Sequence, residues 1–154
     1  MAEKKVNLSR FFDVFKHECR HWCSVLGLVD WDIVFRLEDD DNSFASYRAN
    51  LSSRKCVFSF NSKDIDIECL DSDLDDRMLC GRVCYSAFHE SAHLLLVRLQ
   101  RVVDDYLAED TSAELTHECI GRLVSAFFDP VKNFRVENTM SLIRKETKHG
   151  KVRK

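Results

Sequence analysis

His89-Glu90-Ser91-Ala92-His93 sets two imidazoles four residues apart, with a carboxylate directly after the first. On a helix, positions i and i+4 project from one face a turn apart, so both rings can reach a single ion. The intervening Glu90 is rotated toward the flank where a water on that ion would stand. The chemistry served by this spacing is hydrolysis. Zinc held by neutral imidazoles lowers the pKa of water from about 15.7 to about 7, and the carboxylate accepts the proton. Two protein ligands do not complete such a site, and the candidates for the third are His117 and Glu118 on the following helix, with Glu114 ranked behind them.

These residues need a rigid carrier. From Asp75 or Asp76, either of which can cap a helix, to about Val103, apolar residues spread around most of a helical circumference, among them Leu79, Val83, Ala87, Phe88, Leu94 and Leu95. Such a helix is central to its domain. Ionisable groups inside it are costly unless partnered, and a metal would partner His89 and His93. A second helix begins at Thr111 or Ser112, carries Leu115, Cys119, Ile120, Leu123, Val124, Phe127 and Phe128 on one side, and ends at Asp129-Pro130. A short connection packs it antiparallel beside the first. On a helical wheel His117 borders its apolar stripe, whereas Glu118 lies opposite with Glu114, Arg122 and Ser125. The wheel alone selects His117 as the third ligand.

Upstream, Leu8 to Leu28 repeats apolar residues at helical spacing, with Gly27 where a helix stops. Three short strands come next: one from Trp31 to Leu37, a weaker one from Phe44 to Leu51, and Cys56 to Phe60 closed by Asn61. Polar turns between them suggest a small, largely antiparallel sheet whose last strand is an exposed edge. The acidic runs at 38–41 and 71–76 lack the glycine and final glutamate of an EF-hand loop, and read as solvated turns rather than calcium sites. A last amphipathic piece from about Phe134 to Lys145 precedes a basic tail. The class is α+β, with one domain over 1–146 and a flexible tail over 147–154.

The chain has 154 residues, a formal charge of -3, 45% apolar content, four glycines and one proline, which is the composition of a single helix-rich globular domain. No broad positive field exists to draw nucleic acid, and the basic tail has no aromatics interleaved with it. Seven cysteines without a C-x-x-C pair read as reduced thiols, with Cys19/Cys23 and Cys80/Cys84 buried as small apolar residues. No apolar stretch of signal-peptide type opens the chain, and none reaches the ~18 residues of a membrane span, so a cytoplasmic protein is expected.

The motif and the helix beyond it resemble the gluzincins, the thermolysin-like zinc peptidases. Their third ligand is a Glu on the next helix, with apolar residues after it at +2, +5, +6, +9 and +10. Glu118 has Ile120, Leu123, Val124, Phe127 and Phe128 at those offsets. The resemblance implies Zn2+ held by His89, His93 and Glu118, with Glu90 as general base, and so reverses the wheel's choice. The order of elements is also similar to the minimal zincin cores of phage and bacterial genomes, which would place the protein in a host cytoplasm if phage-encoded. One departure is Arg122, where the family often has an Asp four residues after the ligand Glu. A second resemblance, to the Spartan-like group, implies His117 as third ligand and a substrate protein associated with DNA.

The expected function is hydrolysis of a protein or peptide inside the cell, without a membrane partner. The alternative is a zinc-binding regulatory or interaction module without turnover. An oxyanion donor is required, and Tyr106, His117, Arg122, Arg135 and His149 are equally placed by sequence. Zincin substrates lie along an edge strand, which points to Lys55–Asn61, with Phe58 and Phe60 left open between substrate contact and core.

Overall fold

A computed structural model describes the backbone of residues 8–39, 43–61, 76–106 and 109–149, and side chains within 9–39, 43–61, 77–106 and 111–142. Much of the acidic runs at 38–41 and 71–76, together with Cys69, His149 as a side chain and most of the basic tail, lies outside these residues.

Helix α1 spans Leu8–Val25. It buries Phe11, Val14, Phe15, Cys19, Trp22 and Cys23, the stripe its periodicity required. Gly27 ends it at φ 72°, a conformation open to glycine because no Cβ meets the carbonyl. The Leu28 amide donates to the Cys23 carbonyl at 2.7 Å and the Gly27 amide to Ser24 at 3.2 Å, which is the Schellman closure of a helix C-terminus.

The strands are β1 (Asp32–Glu38), β2 (Ala45–Asn50) and β3 (Lys55–Asn61). Their spatial order is β1-β3-β2. β3 pairs parallel to β1, Asp32 opposite Lys55, and antiparallel to β2, Tyr47 opposite Phe58. The sheet is therefore mixed, and β3 is its middle strand rather than an edge. The physical reason is burial: Cys56, Phe58 and Phe60 have no exposed surface, and Ser59 on the opposite face is also buried. A strand buried on both faces belongs at the centre of a sheet. The choice left open for Phe58 and Phe60 closes on the core. Asn50 Oδ1 accepts the Ser53 amide at 3.1 Å to start the β2–β3 turn, and Arg54 completes it at positive φ.

Helix α2 (Asp76–Asp104) is the axis of the domain and packs against α1, β2, α3 (Glu109–Leu123) and α4 (Lys132–His149). Val124–Phe128 widens to π geometry, and Asp129–Val131 tightens to a 3₁₀ turn around Pro130. This break lets Phe128 turn inward onto Phe88 and Trp22, at ring separations of 5.6 and 6.1 Å. Trp22 meets Phe88 edge-on at 4.8 Å. Each such buried aromatic stabilises the fold by about 1.5–3 kcal/mol. Cys19, Cys23, Cys80 and Cys84 are buried in this core.

One side of α2 also holds a buried ion pair. Glu18 of α1 accepts two hydrogen bonds from Arg135 of α4, at 2.6 and 3.0 Å, with Thr139 beside it at 3.5 Å. Glu18 and Arg135 are almost wholly enclosed. Among the described residues no helix is long and apolar enough to cross a membrane.

Candidate metal centre

The middle of α2 presents His89 and His93 toward β2 and α3. Their Nε2 atoms stand 3.2 Å apart. Two nitrogens bound to one tetrahedral zinc at about 2.0–2.1 Å would be separated by about 3.3–3.4 Å, so the pair already has the span of a shared ion. α3 returns antiparallel and brings His117 alongside, with its ring 6.0 Å from that of His89 and 5.3 Å from that of His93. One ligand atom from each of the three histidines lies within 4.8 Å of the others, and this is the sole such group of potential metal ligands among the described residues.

The α2–α3 hairpin that sets this approach is tied at its tip by the Ser112 hydroxyl, which donates to Asp104. Thr116 then returns its own hydroxyl to the Ser112 carbonyl at 2.9 Å. His117 Nδ1 is 2.9 Å from the Ala113 carbonyl and serves as the donor, because a carbonyl can only accept. That bond leaves the Nε2 lone pair free to bind a metal.

Glu118 is elsewhere. It pairs with Arg122 at 2.6 Å, one turn along the exposed face of α3. A step of one residue rotates a helical side chain by about 100°, so His117 and Glu118 cannot both face α2. The structure thus clusters the residue that the wheel selects and turns away the one implied by the gluzincin resemblance. Arg122, which stands where the family often has an Asp, is its partner on that exposed face. Glu114 is not part of the cluster either.

The electrostatics suit a cation. Burial lowers the pKa of His89, with His117 adding to the effect, and burial followed by His89 and His117 lowers that of His93 to about 4. Both rings therefore present neutral imidazole, the form that binds metal. Glu90 is buried beside them, and desolvation raises its carboxyl to about 8. A cation held by the histidines would draw it back toward the ionised form. The Nδ1 atoms of His89 and His93 are buried without a hydrogen-bond partner. The donor set fits zinc: three imidazoles on two helices, with the Nε2 atoms of two of them at the separation a shared ion requires.

The edge strand beside this centre is β2. Tyr47 lies face to face with His93, ring centroids 5.0 Å apart and planes 18° from parallel. From Tyr47 a groove of about 390 Å³ continues between β2 and α2, past Asn50 and Val97 to Gln100, Arg101 and Asp104. His93, Val97, Gln100 and Asp104 lie along one stripe of α2, so the groove floor is the direct extension of the histidine face. Sequence reasoning missed Tyr47 because the strand pairing that brings it to His93 is a long-range fact.

Of the residues considered for an oxyanion, Arg135 is locked to Glu18, Arg122 to Glu118, and Tyr106 is 83% exposed. His117 is among the clustered histidines. Comparison with protein-family models, with curated proteins and with solved structures finds no match to this chain, so the arrangement of these side chains is what speaks for its chemistry.

Proposed function

We propose that the chain is a zinc-dependent peptidase with His89, His93 and His117 as ligands and Glu90 as general base. The observation that carries the reading is the convergence of the three imidazoles beside a buried carboxylate. When bound, the zinc supplies Lewis acidity, activating water and polarising the scissile carbonyl. Glu90 takes the proton from the attacking water and delivers it to the departing amine, which a carboxyl in a desolvated pocket is suited to do. The substrate segment adds along β2, not along Lys55–Asn61, because β3 is paired on both sides.

A set of H-E-x-x-H plus His supports the Spartan-like resemblance over the gluzincin one. On that reading the substrate is a protein held on DNA, and cleavage of a DNA-bound protein in preference to the same protein in free solution is its test.

The peptidase itself is tested by metal analysis and proteolysis together. Zinc-loaded wild type is expected to hold one zinc per chain and to cleave an unfolded protein such as casein, with Glu90→Gln retaining the zinc and losing the cleavage. A protein that holds zinc but cleaves nothing, with or without Glu90, is the regulatory module instead. Absence of zinc uptake overturns both.

A further inference from the structure

A metal-binding imidazole has two nitrogens, and the usual way to fix its plane is a hydrogen bond from the nitrogen that does not bind. His117 has one, to the Ala113 carbonyl. His89 and His93 have none among the described residues, where their Nδ1 atoms are buried without a hydrogen-bond partner. Some other contact must hold these rings. For His93 the structure offers a planar one: the Tyr47 ring, nearly parallel at 5.0 Å, while His89 and His117 meet it edge-on at 4.8 and 5.3 Å.

Resting on the assignment of the three histidines as ligands, we propose that Tyr47 is a positioning residue of the metal centre, its ring face taking the place of the missing hydrogen bond and aiming His93 Nε2 at the ion. Tyr47 is itself well fixed. Its backbone is paired opposite Phe58 in the sheet, and its hydroxyl donates to Gln100 Oε1 at 3.4 Å, two turns beyond His93 on the same helix. The sheet edge thus meets α2 at the ring contact and again at Gln100. His89 has only a looser version of this support, Tyr85 at 5.8 Å and tilted by 31°. The ring carries this role, and the long hydroxyl contact to Gln100 is a secondary brace beside the strand pairing that fixes the residue.

The test compares wild type with Tyr47→Phe, which keeps the ring, and Tyr47→Ile, which removes it while retaining a side chain suited to a strand. In metal-free protein the His93 Cε1–H resonance, assigned by its disappearance in His93→Gln, is expected to carry an upfield ring-current shift in wild type and Tyr47→Phe and to lose it in Tyr47→Ile. Zinc affinity, measured by competition with a chromophoric chelator, should be within about twofold of wild type in Tyr47→Phe and at least about 10-fold weaker in Tyr47→Ile. A folded Tyr47→Ile that binds zinc as tightly as wild type overturns the proposal, as does a wild-type His93 resonance without the shift. If Tyr47→Ile does not fold, that wild-type resonance and the affinity of Tyr47→Phe decide. Wild type that takes up no zinc refutes the ligand assignment and the positioning role with it, whereas zinc uptake without cleavage leaves the role of Tyr47 intact.

Discussion

Two polar clusters flank α2, and they are built on opposite terms. Toward α1 and α4, Glu18 and Arg135 are joined by two hydrogen bonds, Thr139 reaches Glu18, and Cys84 lies 3.5 Å from Thr139. That cluster is satisfied within the chain. Toward β2 and α3, His89 and His93 converge on each other with their outer nitrogens unpartnered, and burial alone sets the carboxyl of Glu90. This second cluster is left open among the described residues. A closed buried network ties elements together, whereas an incomplete one beside a groove is the mark of a site.

The largest effect that would break this contrast is catalytic. Glu90→Gln should lower peptide hydrolysis by about 10²–10⁴-fold, the range for loss of a general base, with zinc content unchanged. Unaltered turnover would move Glu90 out of the mechanism. On the opposite flank, Arg135→Met should cost about 3–5 kcal/mol in chemical denaturation, because Glu18 is left buried without its partner. Combining it with Glu18→Leu should recover most of that loss. Failure of the double variant to recover would mean the pair does more than satisfy itself.

Zinc should act on one flank only. At a free concentration of 100 times its dissociation constant, it adds about 2.7 kcal/mol to stability, read as a rise in melting temperature that chelator reverses. His117→Ala should remove most of that rise. Glu118→Gln should leave it in place and change stability by about 0.5 kcal/mol or less, as expected for an exposed ion pair one turn apart. The reverse ranking would restore Glu118 as ligand.

The smallest test concerns the thiols on either flank. Burial raises Cys23 to about 11 and Cys56 and Cys84 to about 12. Raised thiol values mean less thiolate, so iodoacetamide at neutral pH should spare all three in the folded protein, with labelling of Cys23 rising first as the solution is made alkaline. Peptide mass mapping reads the order. Ready labelling of Cys84 at neutral pH would show that the closed flank opens.

Much of this architecture is legible in the sequence because it is local. The periodicity of Phe11, Phe15, Cys19 and Trp22 marks α1, and Gly27 marks its end. The near-continuous apolar circumference around His89 marks α2 as central. The wheel of α3 distinguishes His117 from Glu118, and the family pattern, keyed to the apolar spacing after Glu118, obscures that signal because the spacing holds whichever of the two neighbours faces inward. Strand partners are not legible. Cys56 to Phe60 reads equally as an edge or a centre until burial on its Ser59 face is known, and the parallel pairing with β1 depends on a chain path that no turn residue announces. Tyr47 falls with them, since a tyrosine in a weakly alternating strand carries no mark of a histidine stacked on it.

The central position of β3 also sets an order of events during synthesis. β1 and β2 are adjacent in sequence yet share no hydrogen bonds in the sheet, so a ribosome that has released only the first fifty residues has made two strands with nothing to zip together. Asp32 must wait for Lys55, and Ala45 for Phe60, before either ladder can close. Until then the nascent chain carries two wholly unpaired strands, a condition that exposes newly made proteins to sticking to one another.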